Sequence, residues 1–260
     1  MNLNQSVTDG YRLIDYANRL STLKNYRNAV NNYLLAYNRF ALADYIDGRL
    51  DAATKLVLVY KYIGLKDSSD YWLKKSEEIS EYSINLKEKY LLIKVKYLYE
   101  ENAYTEVLRY LSKIDIDKFI VGIKVEILSY KILAATISSV DAIDSYNSLH
   151  STLTSLTKKD QISYEVVSFG WYTLGYSDFY KKDITNANIK FNMSLSIDKE
   201  KGNSEGIADN LFMLGKCAEF DGNKNEALIY YERALEIYKV LNSTELVSEL
   251  INKISLLRKS

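Results

Sequence analysis

Along most of the chain, apolar and small residues recur at three- and four-residue steps, the spacing that lines one face of an α-helix. The stretch Asn210 to Leu235, NLFMLGKCAEFDGNKNEALIYYERAL, shows the arrangement most clearly. Leu211, Leu214 and Gly215 form one stripe, Asp221-Gly222-Asn223 breaks it, and Ala227, Tyr231 and Ala234 form a second. Forty residues earlier the same frame reads Trp171, Leu174 and Gly175, a break at Lys182-Asp183, then Ala187, Phe191 and Ser194. The N-terminus repeats it with Leu13, Ala17 and Leu20 followed by Ala29, Tyr33 and Ala36. Three fainter copies lie between. One runs from Leu56, Val57 and Tyr60 to Ser69, Leu73 and Ser76, the next from Leu91, Val95 and Leu98 to Val107, Leu111 and Ile114. The third runs from Tyr130 to Ala142, Tyr146 and Leu149.

Each copy predicts a helical hairpin. A small residue on the first helix admits the second, small residues on the second accept the first, and an aromatic fills the remaining gap. The predicted hairpins cover residues 7–42, 44–84, 86–115, 117–158, 160–201 and 203–242, preceded by a flexible lead over 1–6. The closing stretch TELVSELINKISLLRKS continues the frame with Ile251, Ile254 and Ser255 but has no second helix. Residues 243–258 therefore read as a cap that solvates the last repeat with Glu249, Lys253, Arg258 and Lys259. The expected architecture is all-α: a right-handed α-solenoid of about six hairpins plus the cap, one domain over residues 7–260, with an inner groove.

This pattern resembles the tetratricopeptide repeat, in its long form of about forty residues. The likeness spans nearly the whole chain and is sharpest in the first and last two units. Two features depart from it: the closing proline is missing, with Lys239 in its place in the last full unit, and the period runs near 40 residues in place of 34. The resemblance implies a scaffold or adaptor that holds a peptide segment of a partner protein in its concave groove. Its long-repeat form also implies an alternative, a sensory receptor for a short signal peptide that works by a change of superhelical curvature. In such repeats the concave face takes defined positions of the first helices. Carried onto this chain, those positions give Tyr172, Tyr176, Phe212 and Met213 as an apolar floor, with Lys96, Lys131 and Lys216 for acidic side chains or a terminal carboxylate. Phe169, Phe179 and Phe220 fall on the same face and are expected to pack between repeats. The lysine-asparagine spacing of a chaperone-tail clamp is absent.

Composition narrows the picture further. Lysine plus arginine and aspartate plus glutamate are equal at 34 each, so no global field draws in nucleic acid or an anionic membrane. The absence of proline and the scarcity of glycine agree with a helical chain. No apolar run is long enough for a transmembrane helix. With one cysteine, Cys217, and no secretory pattern in the first residues, a cytoplasmic protein is expected; an exported or lipid-anchored one follows if a native signal precedes Met1. Chemistry finds little footing. His150 is the only histidine and Cys217 reads as a small core residue. There is no phosphate loop, dinucleotide fingerprint or nucleophile elbow. The chain is thus expected to be no enzyme and to need neither metal nor cofactor. Its partner is a protein or peptide with apolar and acidic residues, and its own state is a monomer or weak homo-oligomer.

Overall fold

The computed structural model describes residues 3–157 and 159–259. Residues 1 and 2 of the predicted lead, position 158 at the end of the fourth predicted hairpin, and position 260 lie outside the described residues. Among the described residues the chain is all-helical, with thirteen α-helices and no strand. Two compact units divide between residues 101 and 102, within the third predicted hairpin.

The first unit holds α1 (Leu3–Thr22), α2 (Tyr26–Leu42), α3 (Ile46–Tyr62), α4 (Lys66–Ser80) and α5 (Ile84–Glu100). Helix α1 begins at Leu3, so residues 3–6, expected as part of a flexible lead, form its first turn. The second unit holds α6 (Tyr104–Leu111), a 3₁₀ turn at Ile116–Lys118, α7 (Val121–Ile137), α8 (Ile143–Ser155) and α9 (Tyr164–Tyr180). It continues with α10 (Ile184–Lys201), α11 (Ser204–Phe220), α12 (Lys224–Val240) and α13 (Thr244–Lys259). Within each unit every helix packs on its chain neighbour. Odd-numbered helices also meet the next odd one: α1 with α3, α3 with α5, α7 with α9 and α9 with α11.

The turns explain how a chain without proline doubles back so regularly. Lys24, Asp44, Gly64, Asn102, Ser139, Lys182, Gly202, Gly222 and Asn242 all have positive φ. At eight of these nine places the next N–H reaches back over the helix end, as in Tyr45 N to Phe40 O at 2.9 Å and Asn223 N to Ala218 O at 2.8 Å. This left-handed cap satisfies carbonyls that the helix leaves orphaned. Six of the nine are not glycine, so a conformational cost is carried at each of those turns.

The hairpin cores follow the predicted small-against-aromatic logic. Phe40 sits where a side chain on either Gly10 or Gly48 would collide with its ring, and a Cβ on Gly175 would press tightly on Phe191 at 3.0 Å. At Gly215 a Cβ would lie 2.5 Å from the Tyr231 ring. Ala29, Ala187, Ala227 and Ala234 are fully buried beside these rings. Each unit has its own apolar cluster, one around Tyr33, Phe40 and Leu56, the other around Phe191, Leu214 and Tyr231.

Buried polar groups add a second layer of specification. In the second unit Lys190 Nζ donates to Asp178 Oδ2 at 2.5 Å, and the Tyr146 hydroxyl donates to the same oxygen at 3.0 Å. On the more open surface of the first unit Lys89 pairs with Asp51 at 2.9 Å, and Lys61 and Lys66 both reach Glu101.

Candidate functional site

The candidate face belongs to α9 and α11 in the second unit. Helix α9 starts at Ser163, whose hydroxyl accepts from Val166 N, and α11 starts at Asn203, whose side chain accepts from Gly206 N. These caps fix the register of both helices. On α9, Trp171, Leu174 and Gly175 turn into the core, which rotates Tyr172, Tyr176 and Tyr180 to the other side at four-residue steps.

Those three tyrosines form a row. The Tyr172 and Tyr176 ring centroids lie 6.3 Å apart, and those of Tyr176 and Tyr180 lie 4.6 Å apart. Phe179 stands edge-on to Tyr180 at 5.6 Å and to Phe220 of α11 at 6.4 Å. Such edge-on and tilted pairs are favourable ring arrangements. Tyr172 and Tyr176 are half-buried, whereas Tyr180 is 52 % exposed and Phe220 56 % exposed. The open end of the row therefore lies at the C-terminal ends of α9 and α11.

The residues expected on the floor divide accordingly. Tyr172 and Tyr176 lie together on this face. Met213 does not: at 2 % exposure its side chain is core. Phe212 is 9 % exposed, with its ring 5.9 Å from that of Tyr231. Both are drawn inward because α11 packs on α9, α10 and α12 and has little free circumference. Lys216 keeps to the same side, with Nζ 4.7 Å from the centre of the Phe212 ring, a cation–π contact. Lys131 is partly buried on α7, and Lys96 belongs to α5 of the first unit. Of the residues expected to pack between repeats, Phe179 and Phe220 meet each other, and Phe169 packs on Tyr130 at 5.2 Å.

Two features of this region go beyond the anchors chosen from the sequence. Phe220, expected to pack between repeats, and Tyr180 offer more open ring surface than any of those anchors; their place at the last turn of each helix, before Asp221-Gly222 and Lys181-Lys182, is the available signal. The second feature is a cleft of about 210 Å³ at the N-terminal ends of α9 and α11, lined by Glu165, Phe169, Tyr172, Asp198, Asp209 and Asn210 among others. Its buried Asp198 stands at a core step of α10, in line with Phe191, Ser194 and Leu195.

Reactive chemistry is sparse on this face. Cys217 is fully buried on α11, and burial pushes its thiol up to about 12, far from a thiolate at neutral pH. His150 is exposed on α8, edge-on to Trp171 at 5.8 Å. Glu219 sits below the usual carboxylate range despite its burial, because Lys253 at 2.7 Å and the Tyr231 hydroxyl at 2.6 Å both donate to it. Among the described residues no group of His, Cys, Asp or Glu is arranged to hold a metal ion, and no helix is long and apolar enough to cross a membrane.

Comparison with protein-family models and with curated proteins finds no match for this chain.

Proposed function

We propose that the chain is a non-enzymatic protein-interaction module of the tetratricopeptide type, its helices being the hairpins of an α-solenoid. In this reading the second unit holds an apolar peptide segment of a partner protein against the α9 and α11 face. The observation that carries it is the row Tyr172, Tyr176 and Tyr180 with Phe220 at its open end. Stiff aromatic rings give large contact area with few rotamers to freeze, and binding energy concentrates on such anchors. The repeated hairpin, with a small residue opposite an aromatic at Gly175–Phe191 and Gly215–Tyr231, supports the family reading.

The test is a displayed peptide library selected on the wild-type chain, followed by affinity measurement of the enriched peptides on Tyr176→Ala and Phe220→Ala variants. Loss of an anchor lowers affinity by about tenfold or more, equivalent to roughly 1.4 kcal/mol. Enriched peptides that bind both variants as tightly as wild type refute the proposal.

A further inference from the structure

We propose that the open side of α13 is a self-association surface, covered by α13 of a second copy of this chain lying antiparallel to it. Helix α13 packs on α12 with Leu250 and Ile254 buried. A groove of about 430 Å³ runs along the two helices, lined by Leu235 of α12 and by Ile251, Ile254 and Ser255 of α13, with Arg258 and Lys259 toward the helix end.

The repeat itself indicates what such a face meets. Ile251 holds the place that Leu211 and Trp171 hold forty and eighty residues earlier. Leu211 is 1 % and Trp171 6 % exposed, and each belongs to a helix on which the next one folds back, α12 on α11 and α10 on α9. Ile251 is 49 % exposed. Ser255 stands where Gly215 and Gly175 admit an aromatic ring of that next helix, and it too is exposed. The face therefore has the frame of a packed helix and the exposure of an open one. In this frame the covering helix runs antiparallel.

Helix α13 meets that description itself. Thr244, Ser248, Ile251, Ser255 and Lys259 follow at steps of four, three, four and four, and all are exposed, so they form one stripe. Turned about a two-fold axis beside Ile251, the stripe meets its own copy. Ile251 comes against the second copy's Ile251, and Ser248 against the second copy's Ser255. Charge selects the direction. Glu245 lies in the first turn and Arg258 and Lys259 in the last, so antiparallel pairing sets opposite charges level, whereas parallel pairing sets like charges together. The contact is isologous and closes at two copies. One pair of 16-residue helices is a small interface, which places the dissociation constant between about 10 µM and 1 mM. Such a pair carries two peptide-holding faces, a consequence that rests on the function proposed above; the pairing does not.

The test is sedimentation equilibrium of the full chain from about 5 µM to 1 mM at low salt. Wild type is expected to pass from monomer to dimer and to stop there. Ile251→Lys, at an exposed position, is expected to stay monomeric throughout with its thermal midpoint within a few degrees of wild type. Arg258 also holds Glu232 at 2.7 Å, so the charge variants use Lys259. Glu245→Lys and Lys259→Glu are each expected to weaken pairing by about threefold or more, and their equimolar mixture to associate more tightly than either alone. Ile251→Cys is expected to cross-link to itself under mild oxidation, and Leu256→Cys, exposed but off the groove wall, is not. A wild-type monomer at 1 mM, or a dimer unchanged in Ile251→Lys, overturns the second copy as the occupant. A mixture no tighter than its components, or cross-linking through Leu256→Cys alone, overturns the antiparallel register, and growth beyond two copies overturns the closed pair. Library-selected peptides bind Ile251→Lys as tightly as wild type, so a failure of the aromatic face shows separately.

Discussion

Replacing Lys190 by methionine removes the one cation that, among the described residues, pairs with the buried carboxylate of Asp178. In the wild type the two side chains are 9 % and 8 % exposed and meet at 2.5 Å, with the Tyr146 hydroxyl on the same oxygen at 3.0 Å. Methionine retains the apolar stem but abandons a charge in a poorly solvated place. Breaking such a pair costs roughly 3–5 kcal/mol, and the surviving Tyr146 bond argues for the lower end, about 3 kcal/mol. For a unit of this size that corresponds to a fall in midpoint of about 6–12 °C. The assay is thermal unfolding followed by Trp171 fluorescence in a Trp72→Phe background, so that the signal comes from the second unit alone. Asp178→Leu/Lys190→Met, which removes both charges of the pair, recovers at least half of the loss.

The pH dependence has a definite sign. Burial lowers the Lys190 pKa, but the hydrogen bonds and charges of Asp178 and Tyr146 outweigh that and leave it raised. A raised ammonium stabilises the fold fully below the ordinary lysine value of about 10.4 and loses its contribution as pH climbs through the folded value. The gap between wild type and Lys190→Met therefore stays constant from about pH 6 to 9 and shrinks above about pH 10. A single variant within about 0.5 kcal/mol of wild type, or a double variant no better than the single, refutes this reasoning.

Three further outcomes follow from the packing. Gly215→Val places a side chain against the buried Tyr231 ring and costs about 1–3 kcal/mol, read by the far-ultraviolet circular dichroism melt. Tyr180→Ala and Phe220→Ala trim open rings and change stability by less than about 1 kcal/mol in the same melt, while weakening selected peptides. Cys217 stays unreactive toward an aromatic disulfide reagent at pH 8 in the native chain and reacts promptly in denaturant, followed by absorbance.

The helices were legible because their signal is dense. Positions such as Leu211, Leu214 and Gly215 recur with their partners Ala227, Tyr231 and Ala234, and no competing period interferes. The turns were half legible: Asp221-Gly222-Asn223 announces itself, but Ser139 takes up positive φ without any glycine or asparagine to mark it. Burial on the candidate face was harder to read. A position rule for one helix does not register how many neighbours surround it, so it assigns Met213 to a surface that α9, α10 and α12 leave it no room to reach. The Asp198–Asn203–Asn210 network depends on three segments meeting at Gly206. Only the core-step placement of Asp198 hinted at it.

The central claim is that the aromatic row of α9 and α11 holds a peptide. Its most direct measurement is the calorimetric affinity of one library-selected peptide for wild type, for Tyr176→Ala/Phe220→Ala, and for Tyr71→Ala/Tyr82→Ala, which alters exposed tyrosines of the first unit. The account predicts a loss of tenfold or more in the first variant and none in the second. Equal affinity across all three proteins contradicts it.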